Sequence, residues 1–268
     1  MNIQRAKTMK LIATISAVLA PTLTIATEDR VSDAIGPGDS KSKWVVGGTI
    51  GAIENPFLNE DSTEGFVIPN IEYRGERFFA KDGELGLTLL RNNGVSTGIL
   101  LTGKGSFLSD DDNYDNNEKL AGIEERDPTL NAGFYVMHSS NIGRLKIAAL
   151  DEITGEHAGM SFDAHYVFDI PLNRWNINPM IGVNWMSAQE VDHFFGVSES
   201  EATTDRTAYE GDAATNVYAG VRGRYEITNH WDLNLNAHYI KLGDGITDSS
   251  IIEKDEIFVS SIGVNYNF

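Results

Sequence analysis

The sequence predicts an all-β protein: an antiparallel transmembrane β-barrel of about twelve strands, with ten or fourteen as alternatives and both termini periplasmic. Three observations carry the prediction. Apolar and polar residues alternate with period two through long runs. The first segment has the pattern of an export signal. The chain closes on "IGVNYNF", an alternating run that stops on Phe268.

The export signal comes first. Arg5, Lys7 and Lys10 form a positive start, "LIATISAVLAPTLTIA" an apolar core, and Thr24-Ile25-Ala26 a small-residue cleavage site. Residues 1–26 therefore read as a signal peptide, 27–43 as an N-terminal periplasmic segment and 44–268 as the barrel. Cleavage would remove three positive charges and no negative ones, moving the formal charge from −18 to about −21. No later stretch supplies the roughly 20 apolar residues of a transmembrane helix. An exported chain of this kind is periplasmic, secreted or a barrel.

Composition narrows the function. A net charge of −18 without a basic patch excludes a nucleic-acid partner. With no cysteine there is no disulfide, thiolate metal site or cysteine nucleophile. Mean hydropathy is −0.23, which suggests solubility, but averaging hides apolar residues that alternate with polar ones.

Strands are expected near 44–53, 65–74, 76–81, 83–92, 95–105, 130–139, 143–153, 156–168, 174–189, 215–227, 230–242 and 256–268. In 156–168, Met160, Phe162, Ala164, Tyr166 and Phe168 oppose Ser161, Asp163, His165 and Val167. In 215–227, Val217, Ala219, Val221 and Tyr225 oppose Arg222, Arg224 and Glu226. In 230–242, Trp231, Leu233, Leu235 and Tyr239 oppose Asp232, Asn234, Asn236 and His238. The segment "LGLTLL" (85–90) does not alternate cleanly. The long polar connections 54–64, 106–129, 190–214 and 243–255 all follow odd-numbered strands, so all fall on one rim. Short turns on one rim and long loops on the other are the pattern of bacterial membrane barrels.

In "WNINPMIGVNW", Trp175, Ile177, Ile181, Val183 and Trp185 share a face. The two tryptophans are ten residues apart, about 33 Å along a strand and about 25 Å after a 40° tilt. That is the height of a lipid-facing band between aromatic girdles, to which Trp175, Trp185 and Trp231 are assigned. Pro179 removes a ladder donor within this strand, so a bulge or irregularity is expected there. A soluble barrel or sandwich would show the same alternation with the faces reversed. The last strand should close the sheet on the first, with Ile262, Val264, Tyr266 and Phe268 toward lipid and Ser261, Gly263, Asn265 and Asn267 toward the lumen. Tyr266 and Phe268 also resemble the terminal signal read by bacterial barrel-assembly machinery, which makes that machinery an expected partner.

"IPNIEYRGERFFA" (68–80), "LAGIEERDPTLNAGFYV" (120–136), "HFFGVSESEA" (193–202), "YEITNHWDLNLNAHYIKLGDGITDSSIIEK" and the terminal "YNF" together resemble the MipA/OmpV family of outer-membrane proteins. Phe194 stands where the family often has Tyr, and Ser250 where Pro is usual. The resemblance implies an outer-membrane barrel in contact with lipid and lipopolysaccharide. It also implies a non-enzymatic scaffold for peptidoglycan synthesis and remodelling, with a murein transglycosylase and a penicillin-binding protein as partners. An osmolarity-responsive surface protein or adhesin is the family alternative. A narrow solute channel is the alternative suggested by a polar lumen.

No cofactor or metal is expected. The polar candidates for the lumen are Asp163, His165, Arg222, Arg224, Glu226 and His238. Ser161, Asp163 and His165, or Asp232 and His238, offer the residue types of a hydrolase. Residues i and i+2 of a strand lie roughly 7 Å apart, however, too far for a direct hydrogen bond. Charge pairing of Arg222 and Arg224 with Asp163 or Glu226 is the expectation instead. Asp110, Asp112 and Asp115 do not make a complete calcium loop, because the sixth position holds Asp115 in place of glycine and the twelfth holds Ala121 in place of an acid. In the family motif Phe194, Phe195, Gly196, Val197 and Ser198, the two aromatics read either as a docking patch or, in preference, as girdle residues at a strand end, followed by a loop that folds into the barrel mouth.

Overall fold

Twelve antiparallel strands form one closed sheet in the computed structural model, which describes residues 43–58, 63–81, 83–109 and 117–268. The signal peptide, most of the 27–43 segment, and Asp110, Asp112 and Asp115 lie outside these residues. In chain order the strands are β1 (Lys43–Glu54), β2 (Thr63–Arg74), β3 (Phe78–Lys81), β4 (Glu84–Asn92), β5 (Val95–Lys104) and β6 (Thr129–Ser140). They continue as β7 (Gly143–Glu152), β8 (Met160–Phe168, resuming at Ile170–Leu172), β9 (Trp175–Met186), β10 (Ala214–Glu226), β11 (Trp231–Lys241) and β12 (Glu256–Asn267). Each strand pairs with its sequence neighbours, and β12 closes on β1 from Val45↔Asn267 to Ile53↔Val259. The Phe268 N–H donates to the Trp44 carbonyl at 3.0 Å, extending the seam to the last residue. Closure joins the first and last strands, as lipid favours because it cannot hydrogen-bond a free backbone, while β2 meets the four-residue β3 only at Tyr73↔Ala80 and Arg74↔Phe79.

The alternation points its apolar set outward. On β12, Ile262, Val264 and Phe268 are 44%, 39% and 72% exposed, while Asn265 and Asn267 face the lumen. Exposed apolar side chains with buried charged ones is the reverse of a soluble barrel, and the reason is the solvent: hydrocarbon outside, polar groups within. Glu72, Arg144, Lys146 and His165 are all buried inside.

Departures from regular pairing have local causes. The broken alternation of 85–90 is a β-bulge: the β4–β5 register shifts between Thr88 and Leu90, leaving both Leu89 and Leu90 exposed. The "NNG" turn places Asn93 (φ 48°) and Gly94 (φ 79°) in the left-handed region, as a tight two-residue hairpin needs. At Pro179 there is no bulge. The β8–β9 ladder lapses opposite Asn178 and Pro179, where β8 is interrupted at Asp169, and resumes in the same register. Asn178 Nδ2 spans the lapse, donating to the Phe168 carbonyl (2.9 Å) and to Asp169 Oδ1 (2.7 Å).

The ninth strand is shorter than expected. It stops at Met186, and α1 (Ala188–Phe195) follows. Ser187 caps this helix, its Oγ accepting from Glu190 N (3.4 Å) and Met160 N (3.1 Å). A single turn, α2 (Asp244–Thr247), and a 3₁₀ turn, Phe107–Ser109, lie in two other long loops.

Candidate functional site

The two ends of the lumen are built differently. At the long-loop end, α1 crosses the mouth. Val191 and Phe194 pack with Ile53 and Phe66 of the first hairpin, Met186, Ala214, Tyr218, Ile240 and Val259. On its other side Glu190 reaches β5, where Lys104 Nζ donates to Glu190 Oε1 at 2.6 Å. Both side chains are almost fully buried, at 3% and 0% exposure. Burial holds the Glu190 carboxyl above its usual range, and Lys104 opposes that rise.

Above α1 the loops pack on one another. Phe57, Phe107, Leu108, Leu120, Ile123, Val197 and Ile251 form a second core drawn from all four long connections. Polar anchors pin it. Arg206 donates to the carbonyls of Lys119 (2.8 Å), Ala121 (3.0 Å) and Glu201 (2.6 Å). Arg126 Nη2 bonds both oxygens of Glu201, at 2.8 and 3.0 Å. Burial would raise the Glu201 pKa, but Arg126 and the N–H groups of Glu124 and Ser198 hold it at about 2. His157 packs on His193 of α1 with tilted rings and centroids 4.9 Å apart, and burial and then His193 lower its pKa to about 4.

The motif aromatics are therefore interior to this lid. Phe194 is 3% exposed in the plug, and Phe195 packs against both cores. Their expected girdle position is incorrect, because "SAQE" starts a helix rather than continuing the strand. The loop does fold into the mouth. Gly196 ends α1, Val197 pairs with Tyr209, and Ser198 N donates to Glu201 Oε2 at 2.8 Å.

Midway down, Asp163 joins two neighbours. His165 Nδ1 lies 2.7 Å from Asp163 Oδ1, and Tyr218 donates its hydroxyl to Asp163 Oδ2 at 2.8 Å. The expectation that i and i+2 side chains are too far apart fails here, because both lean along the strand and close a gap of roughly 7 Å between Cα positions. Gly182 makes room for Tyr218: a Cβ there would lie 2.3 Å from its ring. Ser161 is not beside His165 as a nucleophile; its Oγ accepts from Lys104 Nζ at 2.5 Å, beneath α1.

At the short-turn end a polar pocket opens, lined by Glu72, Arg74, Arg222, Arg224, Asp232 and a set of asparagines. Arg74 pairs with Glu72. Arg224 lies 3.6 Å from Asp232 and 3.8 Å from Glu226. Arg222 Nε donates to Asn236 Oδ1 at 3.1 Å. The expected pairing of Arg224 with Glu226 is thus present but long, and Asp163 is taken by His165 and Tyr218. His238 is buried on the lumen wall of β11, against Gly220.

On the outer face, Trp175 packs on Tyr225 (5.0 Å) and Trp231 on Tyr266 (5.0 Å), near the short-turn end. Tyr266 in turn meets Phe268 at 4.9 Å. Trp185 packs on Phe162 (5.4 Å) near the other rim.

Sequence reasoning does not reach Lys104, Glu190, Glu201 and Arg206 of the lid, or Glu72 and Arg74 of the pocket. One signal for the lid is present: Ser187-x-x-Glu190 has the form of a helix-starting capping box. Among the described residues no cluster of three or more His, Asp or Glu side chains is arranged to hold a metal ion.

A family model described as MltA-interacting protein MipA matches residues 46–268. The MltA-interacting protein of Escherichia coli (strain K12) is 23% identical over 239 residues, spanning 89% of this chain and 95% of the relative. Outer membrane protein OmpV of Vibrio cholerae is 26% identical over 222 residues, spanning 82% and 85%. Among solved structures, OprB of Pseudomonas putida aligns over 87% of this chain and 57% of its own, with 13% identity and a TM-score of 0.39.

Proposed function

The chain belongs to the MltA-interacting protein family, as an outer-membrane β-barrel, and from that membership we propose that it is a non-enzymatic scaffold for murein remodelling. Its partner on this reading is a murein transglycosylase, the class of enzyme for which its Escherichia coli relative is named. A penicillin-binding protein would join the same assembly.

The observation that carries the reading is the lid. A channel needs a continuous path, whereas α1 lies across the mouth, packed against one wall and ion-paired to the other. A barrel whose mouth is covered acts through its surfaces. With the long loops outward, as bacterial barrels place them, the short turns and the polar pocket face the periplasm, where murein enzymes work.

The test is a pull-down from detergent-solubilised envelopes, using the tagged full chain and an unrelated barrel as control. Enrichment of a murein transglycosylase over the control is expected; equal recovery would overturn the scaffold role. Planar bilayers test the channel alternative separately. The intact protein should give no discrete conductance steps.

A further inference from the structure

Buried polar atoms without a partner occur at both ends, as Arg126 Nε, His157 Nε2 and Glu190 Oε2 within the lid and as a convergent set of donors in the pocket wall. Among the residues that line the pocket, four buried atoms have no hydrogen-bond partner: Arg74 Nε, Arg224 Nε and Nη1, and Asn234 Nδ2. All four are donors. The acceptors that line the pocket do not share this state. Glu72 accepts from Asn70 (3.2 Å) and Arg74, Asp232 accepts from Asn267 (2.8 Å), and Asn236 and Asn265 accept from Arg222 (3.1 Å) and Asn70 (2.9 Å).

Charge points the same way. Three guanidinium groups, of Arg74, Arg222 and Arg224, face two carboxylates, of Glu72 and Asp232, in the wall of the pocket. This is a local positive surplus in a chain of net charge −18. The Arg74 side chain is only 10% exposed and the Arg224 side chain 12%, so both are held in place rather than trailing into solvent. Buried guanidinium donors left open are costly, and an oxyanion satisfies several at once through charge-assisted bonds.

We propose that this pocket binds a small soluble oxyanion, a carboxylate or a phosphate, entering from the short-turn end. The open edges of Arg74 and Arg224 would take the anionic oxygens, and Asn234 would donate to a neighbouring oxygen of the same ligand. Glu72 and Asp232 orient the two arginines and keep the site from binding every anion tightly. The inference goes beyond the scaffold role and does not need it, because the ligand contacts the lumen wall and not a docked protein.

Isothermal titration calorimetry on the detergent-purified full chain tests it, with inorganic phosphate, citrate and uncharged glucose as separate probes. Saturable one-to-one binding of phosphate or citrate, without binding of glucose, is expected. Which anion binds distinguishes a phosphate from a carboxylate ligand. Arg224→Gln should weaken that binding at least about tenfold and Asn234→Ala about two- to fivefold. Lys119→Gln, in an exposed loop position, should leave it unchanged. Far-UV circular dichroism checks that each variant keeps its barrel, and Asn234→Ala carries the test where Arg224→Gln does not fold. No saturable heat with either anion, or wild-type affinity in the folded variants, would overturn the proposal.

Discussion

The two ends of this barrel solve opposite problems with the same kind of wall. The long-loop end behaves like the core of a soluble protein: apolar side chains from four loops and α1 interlock, and the arginines there are bonded to carbonyls and a carboxylate. The short-turn end is polar and keeps open donors. A closed end loses stability with each polar group left loose, and here Arg126 Nε, His157 Nε2 and Glu190 Oε2 carry that cost. An end that meets a ligand can leave donors open, because the ligand or water completes them. What separates the ends is the lining and where the open groups sit: those of the pocket are all donors around one polar space, whereas Arg126 Nε, His157 Nε2 and Glu190 Oε2 are scattered through a packed lid.

The comparison breaks most sharply at the Lys104–Glu190 pair. Lys104→Met leaves the Glu190 carboxylate buried opposite no cation, and should destabilise the protein by about 3–5 kcal/mol. Urea unfolding in lipid vesicles measures it. Glu190→Gln should cost less, because the carboxamide oxygen can still accept from Lys104 Nζ. Replacing both partners with methionine should recover most of the loss. Equal effects of the two single variants would show that the pair does not anchor the lid.

Phe194→Ala removes the large side chain at the centre of the plug, for a loss of about 3 kcal/mol. It should also speed proteolysis of the 187–213 loop and allow conductance steps in planar bilayers. An unchanged, silent variant would mean that the loops above α1 close the mouth without it.

Acid should loosen the lid while sparing the pocket end. His157 has a folded pKa of about 4, below the ordinary histidine value. Its neutral form is the one the fold prefers. Its contribution is therefore present above about pH 6.5 and is lost as pH falls through that value toward about 4. Glu201, held at about 2, keeps its contribution above the ordinary carboxylate range and loses it only as pH falls toward about 2. Limited proteolysis should accordingly cut the 153–159 and 187–213 loops faster at pH 5 than at pH 7.5, and His157→Gln should flatten the difference.

The smallest effect is expected at Asn234. Its Nδ2 has no partner, so Asn234→Ala should change stability by less than about 0.5 kcal/mol in the same urea assay. A loss of 2 kcal/mol or more would place Asn234 in a structural network and erase the contrast between the ends.

Particular residues show how far the sequence can be read. The strand pattern of β10, β11 and β12 is legible because each side chain's environment depends on its own parity in the strand. The outward placement of Ile262, Val264 and Phe268 follows from that parity and from a hydrocarbon solvent. Phe194 misleads because "NWMSAQEVDHFF" continues the apolar pattern past the strand end; the helix cap at Ser187 outweighs it. Asp163 and His165 look separate by backbone spacing, whereas their side chains lean together and Tyr218 reaches in from β10, two strands away.

The closed antiparallel sheet, the rim that carries the long loops and the strand that seals the barrel all follow from the chain read alone. Those properties repeat every two residues and every hairpin, so short windows of chain contain them. Three-dimensional folding was needed to bring α1 into the mouth, to set Lys104 against Glu190 across 86 positions of sequence, and to gather Arg74 and Arg224 into one pocket. Such contacts cross the lumen between strands far apart in the chain. They depend on the curvature and register of the whole barrel, which no local pattern encodes.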